Sequence, residues 1–436
     1  MSGTTAVSDE GASALLDLFG TDFVADPSPA LAALRRDAPV HHDPDTGLWL
    51  VSRYADVRQV LLDPAAYVPD NAQHAVARLT VPALRALARA GFSLPPALAN
   101  NGGPSHTGLR RLVTTFFSSR RVTGAVPLIE ETAQRLLTGV HDTLETGATY
   151  DLAATYARHL PCQVLMRILG VEGVPTETLI TWSDASLELF YGRPDTDRQV
   201  VLAHLVGEFH QWLTERVNAG GPADGLIGSL RRHLLPDGTP LDVRTAVATC
   251  FFVLIAGQST TGQLISTVLR TTAADPDAWA RAATEEGFAE AWVEEILRRE
   301  PPVTTWRRIA ANESELSGVR VPAGAELLLM LMGTGSDPEV FPEPGRLCPH
   351  RPNTRLHLSF GVGRHRCPGA QLARTEAAVA LRTAAGLLPG MEPADDVPPP
   401  MLGLLSFRAP RSVPVRRSQA LLDAQVPGPA ERVPAV

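Results

Sequence analysis

Cys367 stands in the run His357-Leu-Ser-Phe360-Gly361-Val-Gly363-Arg364-His365-Arg366-Cys367-Pro-Gly369-Ala-Gln-Leu-Ala-Arg374. Gly361 and Gly363 lack a Cβ, so the backbone there can turn with positive φ and approach a flat group closely. Phe360 is placed to cover the sulfur against water, and Gly369 permits close contact where a helix begins. The free N–H groups at that helix start favour the thiolate form of a nearby cysteine. Such a loop presents one thiolate, a strong electron donor, to one open face of a metal group. Two other readings of the same residues stay open. One is a buried free cysteine beside a turn, acting as a small hydrophobe. The other is a zinc site using His365 and Cys367. The remaining cysteines, Cys162, Cys250 and Cys348, show no CxxC spacing, which counts against structural zinc.

Three further groupings have chemical spacing. Glu295 and Arg298 are three apart, so on a helix they share a face and can pair. As a solvated surface pair they would contribute little. His106 and Arg110 are four apart and put two donors on one helical face, a combination suited to an anion. The run from Phe251 to Thr261 is apolar and then abruptly polar at Gln258, Ser259, Thr260 and Thr261. By itself it reads as a core helix interrupted by polar residues.

The cysteine run resembles the haem-binding signature of the cytochrome P-450 superfamily, Phe-Gly-x-Gly-x-x-x-Cys-x-Gly, at every defined position. The resemblance covers roughly residues 15–415. It implies that Cys367 ligates the iron of haem b, where a thiolate favours O–O bond cleavage. It implies that Phe360, Gly361 and Gly369 lie against the haem, and that His106, Arg110, Arg308 and His365 hold its propionates. It also makes Glu295 and Arg298 the buried Glu-x-x-Arg pair that ties the core to the meander loop, with Arg351 as the meander arginine. Leu347 stands where that loop usually has Phe. The helix over Phe251–Thr261 then crosses the oxygen side. Ala256 and Gly257 leave room for dioxygen there, and Thr260 is the alcohol that helps deliver protons. Ser259 replaces the usual acid before it. Gln258 and Ser259 can hold a water chain, but neither releases a proton as a carboxylic acid does. A substrate carboxyl or amine would then supply the proton, or the reaction would be one that needs less proton delivery.

The same resemblance assigns Phe252, Ile255, Ala256, Val303, Thr304 and Leu404 to the substrate pocket. Residues 73–101, including Phe92, form its lid, and Trp306 and the lid add stacking. These side chains imply a small apolar or aromatic organic molecule. The expected function is hydroxylation of that molecule with dioxygen in natural-product biosynthesis. The alternatives are oxidative coupling without oxygen insertion and, from another class, a non-catalytic haem sensor or carrier. The chain shows no flavin, nicotinamide or ferredoxin-type fingerprint, so electrons come from a separate ferredoxin and its reductase. Arg355, Arg364 and Arg366 would give the thiolate face a basic patch for such a partner. Delivery of the substrate on a carrier protein is compatible with the sequence.

The elements that must position these groups are mostly helical. Pro29–Asp37 reads as a short helix. Val40–His42 and Leu48–Val51 read as strands joined by a turn at residues 44–47. Residues 105–300 are mainly helical. Short strands follow at Val319–Val321 and Glu326–Met330, and a helix returns from Cys367 to Leu388. The fold class is mainly α with small β-sheets, and the resemblance implies the P-450 fold. Residues 1–13 read as disordered, 14–415 as one catalytic domain and 416–436 as a loose tail.

Composition closes off other chemistries. The chain of 436 residues has a formal net charge of −8, which argues against nucleic-acid binding. It contains no lysine, all 39 basic residues being arginine. Walker-A loops, pyridoxal Schiff bases and lysine-dependent aldolases are thereby excluded. Four scattered cysteines suit a reducing, cytoplasmic compartment. The apolar stretch Ala246–Gly257 falls short of the roughly 20 residues of a membrane span and reads as a buried core helix. No signal-peptide pattern precedes it, so a soluble protein is expected.

Overall fold

The computed structural model describes residues 16–418. Its helices include α1 (Ser28–Asp37), α2 (Val81–Arg89), α3 (His106–Phe116), α4 (His159–Leu169) and α5 (Thr176–Tyr191). They continue with α6 (Thr196–Ala219), α7 (Val243–Ala273), α8 (Phe288–Arg299) and α9 (Ala370–Leu387). The largest hydrophobic core, from Ala83 to Val415, runs through α2 to α9, and Leu31 and Leu34 of α1 belong to a smaller one.

Helix α7 is the central element. Asp242 caps its start by accepting from the Thr245 N–H at 2.9 Å, as N-cap acids do. It packs against α4, α6 and α9. At 31 residues it is long and apolar enough to cross a membrane, yet it is mostly buried among other helices. The apolar run Ala246–Gly257 is only its first part. The hydroxyls of Thr260 and Thr261 donate back to the carbonyls of Ala256 and Gly257 at 2.7 and 3.0 Å. Such back-bonding lets polar residues sit inside a buried helix without orphaned groups.

A five-stranded sheet flanks the helices. Its strands are β1 (Val40–His42), β2 (Trp49–Val51), β3 (Tyr67–Val68), β4 (Trp306–Ala310) and β5 (Glu326–Leu329), in the order β1-β2-β5-β4-β3. Strands β1 and β2 pair antiparallel across the expected turn, with Val40 opposite Val51. A second sheet joins Tyr150–Asp151, Pro414–Arg417 and Met391–Pro393. Residues 416 and 417 therefore belong to a strand: Arg416 pairs with Glu392 and Arg417 with Met391. This corrects the tail boundary at 416. The rest of that tail from 419, and residues 1–13, lie outside the described residues. The last helix starts at Ala370, three residues later than the sequence suggests, because a 3₁₀ turn at Gly363–His365 keeps Cys367 in the loop.

Candidate active site

The cysteine loop has the predicted backbone. Gly361 and Gly363 have φ of +65° and +76°, a region that side chains avoid. A Cβ on Gly363 would also meet the Leu61 carbonyl at 3.0 Å. The Cys367 N–H donates to the Phe360 carbonyl at 2.8 Å, which closes the loop and turns the thiol toward a cavity. Burial by itself raises the thiol's pKa; the Gly369 N–H, Arg110, Arg374 and Arg366 all oppose that rise. Burial wins and the thiol's pKa is raised on balance, while these four groups are placed to favour the thiolate once a cation lies against the sulfur.

The cavity has a volume of about 270 Å³. Phe360, Gly361, Cys367 and Gly369 line its floor, and Ala256, Gly257 and Thr260 of α7 lie along it. Phe252, Ile255, Val303 and Trp306 supply apolar wall, as expected. Phe92 acts differently: its ring stacks on Phe190 at 6.0 Å and meets Phe251 edge-on at 6.0 Å, which anchors the lid.

Four basic groups converge at one side. Arg110, Arg308 and His365 line the cavity, and His106 lies behind His365, the two rings 4.5 Å apart. Among the described residues no carboxylate forms an ion pair with Arg110 or Arg308. Burial pulls the Arg308 pKa down to about 10. Burial, then Arg364 and Arg110, lower His106 to about 4. Burial, then Arg308, His106, Arg364 and Arg110, lower His365 to about 3. Arg364 Nε donates to His106 Nδ1 at 3.1 Å, so the His106 proton sits on Nε2. That nitrogen and His365 Nε2 are buried with no partner. A cluster of arginines and unpartnered imidazole nitrogens without an acid suits the propionates of a haem, with Cys367 on the same cavity as the thiol that could ligate its iron. The residues fit the group.

Three expected positions fall elsewhere. Ser259 does not line the cavity; it is buried, and its Oγ accepts from Gln258 Nε2 at 3.0 Å. The lining positions Ala256, Gly257, Thr260 and Thr261 recur on one face of α7, and Ser259 falls outside it. Thr304 and Leu404 line a separate small recess with Met330 and Met332. Extended residues alternate in direction, so Val303 faces the cavity and Thr304 faces away. The missing Cβ of Gly257 points at Leu165 of α4, where it would sit 2.7 Å from Cδ2. Gly257 therefore serves α7–α4 packing, and the room in the helix comes from Ala256, which is open to the cavity.

The supporting pair is buried as expected. Arg298 and Glu295 are fully buried and bonded at 2.7 and 3.0 Å. Arg351 and the Cys348 N–H donate to the same carboxylate at 3.0 and 3.1 Å. Arg298 also donates to the carbonyls of Pro344 and Arg346, tying α8 to the meander. The sequence reading missed the adjacent Glu294. It accepts from His357 at 3.1 Å and from Arg374 at 2.6 and 2.8 Å, clamping α8 to both ends of the cysteine loop. Also missed were Ser186, Leu187, Phe190 and Tyr191 of α5, which form a cavity wall. Their spacing was legible as one helical face but did not distinguish cavity from core.

Comparisons with known proteins agree with this geometry. The Cytochrome P-450 family model matches residues 230–384. The chain is 34% identical over 371 residues to a vitamin D(3) 25-hydroxylase of Pseudonocardia autotrophica, covering 84% of this chain and 87% of that one. It is 32% identical over 389 residues to the cytochrome P-450 monooxygenase PikC of Streptomyces venezuelae, covering 87% of each. The structure of cytochrome P-450 CREJ in complex with (4-ethylphenyl) dihydrogen phosphate superposes with a TM-score of 0.85 at 28% identity. That match covers 91% of this chain and 98% of the other. At this identity and coverage, and with the fold in common, the chain belongs to the cytochrome P-450 family, as a haem-dependent monooxygenase.

Proposed function

We propose that this enzyme hydroxylates a small, largely apolar organic molecule in natural-product metabolism, with residues 14–415 acting as one catalytic unit. The observation that carries the reading is a single one: Cys367 opens onto an apolar cavity that Thr260 also lines. Cys367 would ligate the iron of haem, Arg110, Arg308, His365 and His106 would hold its propionates, and the group would supply the redox chemistry with dioxygen. The chain's own residues then do the rest. Phe252, Ile255, Val303 and Trp306 hold an apolar skeleton and exclude water. Thr260 Oγ1 stands ready to exchange its bond to the Ala256 carbonyl for one to the reacting group, and so to hold a proton there. With no acid beside it, proton supply falls to that hydroxyl and to groups the substrate brings.

Both curated relatives above are named for oxygenation, one of them as a hydroxylase, which supports oxygen insertion over coupling or ligand sensing. Small-molecule substrates and redox partners go with the family. A ferredoxin with its reductase is the donor we favour. Arg355, Arg364 and Arg366 are exposed, and among the described residues none of them forms an ion pair with an acid. We place the enzyme in the cytoplasm, in keeping with four free cysteines and a long apolar helix that is packed in the core.

The deciding experiment is the absorption spectrum of the reduced protein under carbon monoxide. A strongly red-shifted Soret band in the native protein, lost in Cys367→Ser, is expected. A histidine-type band, or an unchanged band in Cys367→Ser, would overturn the assignment of Cys367. Product formed under labelled dioxygen should carry the label; unlabelled product would favour coupling.

A further inference from the structure

Three arginines are placed to act on Cys367 by charge: Arg110, Arg374 and Arg366. Arg110 lines the cavity on the propionate side, and Arg366 is exposed. Among the described residues, only Arg374 of the three forms an ion pair with an acid. Its Nε and Nη2 donate to the two carboxylate oxygens of Glu294 at 2.6 and 2.8 Å. A two-pronged bond of this kind fixes the direction of the guanidinium as well as its charge.

The fold aims that guanidinium at the cysteine loop. Its carbon lies 4.4 Å from the centre of the Phe360 ring, within the range of a cation–π contact. The Phe360 carbonyl in turn accepts the Cys367 N–H at 2.8 Å. His357 holds Glu294 from the other side. Its Nδ1 accepts from the Ser359 N–H at 3.2 Å, so its proton is on Nε2, which donates to Glu294 at 3.1 Å. The imidazole is then neutral, and Arg374 is the full cation that Glu294 offsets. The Glu294 side chain is 9% exposed and the Arg374 side chain 27%, so water screens neither charge completely.

We propose that Glu294 and Arg374 are positioning residues for the thiolate ligand: Arg374, held on Phe360, raises the reduction potential of the iron, and Glu294 limits how far it does so. The step concerned is the entry of one electron into the haem iron, with the Cys367 thiolate unchanged and no proton moved. A nearby positive charge favours the added electron and a negative one opposes it. The inference rests on Cys367 as the iron ligand.

The test is a potentiometric titration of the haem-loaded full chain, followed by absorption, with the carbon monoxide spectrum to check that the thiolate stays bound. Arg374→Gln should make reduction about tenfold less favourable, a fall of about 59 mV for one electron. Glu294→Gln should shift the potential upward by a similar factor. The double variant removes both charges and should return close to the native value. Arg374→Lys keeps the charge and should lie nearer to the native protein than Arg374→Gln does. Shifts of the same sign in both single variants, a double variant further from native than either, or unmoved potentials would overturn the inference. Loss of the thiolate band in both Arg374 variants would overturn it too, since the arginine would then be holding the loop together. A native protein with no thiolate band would instead remove the assignment of Cys367, and this inference with it.

Discussion

Thr260 is the residue on which the proton question turns. Its hydroxyl is one of two neighbouring side chains that bond back into α7, but only Thr260 is paired with the cavity-facing Ala256. The neighbour that replaces the expected acid, Ser259, is turned away and tied to Gln258. The protein's own proton supply at the cavity is therefore thin. Replacing Thr260 with Val keeps the shape and removes the hydroxyl. The expected result is unchanged substrate affinity with severalfold more reducing equivalents ending as hydrogen peroxide. Product and peroxide measured per electron pair would check it, and unchanged coupling would mean that substrate groups alone manage the proton.

At the level of elements, α8 holds the site together. Its adjacent acids point into different networks. Glu295 binds Arg298, Arg351 and the Cys348 N–H, while Glu294 binds His357 and Arg374. One helix thus fixes the meander on one side and the cysteine loop on the other. A fully buried pair contributes little net stability when intact, but breaking it strands a charge. Arg298→Met should cost about 3–5 kcal/mol, because Glu295 then keeps only part of its partners. A lowered denaturant midpoint with early haem loss is the expected readout. A loss below about 1 kcal/mol, the range of exposed pairs, would show the pair to be dispensable.

For the molecule as a whole, two long-range electrostatic effects follow. Burial alone raises the Glu294 pKa, but bonds from His357 and Arg374 outweigh it and bring the pKa from 4.5 to about 2. The folded value is depressed, so this stabilisation is fully present above the unfolded pKa. It is lost as pH falls from about 4.5 towards 2. The size is about 3 kcal/mol by linkage. Stability measured against pH should fall across that window in the native protein and fall less in Glu294→Gln. The second effect concerns the exposed Arg355, Arg364 and Arg366, near Cys367 in sequence, on a chain of net charge −8. Reduction by a small acidic ferredoxin should slow with added salt, and Arg355→Glu should slow it severalfold at low salt. Reduction by dithionite serves as the control and should be unaffected; a ferredoxin rate indifferent to Arg355 would move the docking site elsewhere.

The local chemistry was legible in the sequence because it depends on residue type and near-neighbour spacing. Gly361 and Gly363 announce a left-handed turn, and the cysteine beside them can only be presented by that turn. Glu295 and Arg298 announce one helical face, and the strands β1 and β2 announce their hairpin. Those features need no knowledge of distant segments. Direction and partnership were different. Whether Ser259 or Thr260 faces the cavity, whether Gly257 makes room for a ligand or for Leu165, and whether Val303 or Thr304 touches substrate depend on how each element is rotated. That rotation is set by packing against distant chain, such as Leu165 of α4 against Gly257. The same holds for Glu294, which finds Arg374 across 80 positions, and for α5, whose apolar face became a cavity wall. Arg374 is the clearest case, since an arginine on a helix is ordinary until the fold sets it between Glu294 and the Phe360 ring.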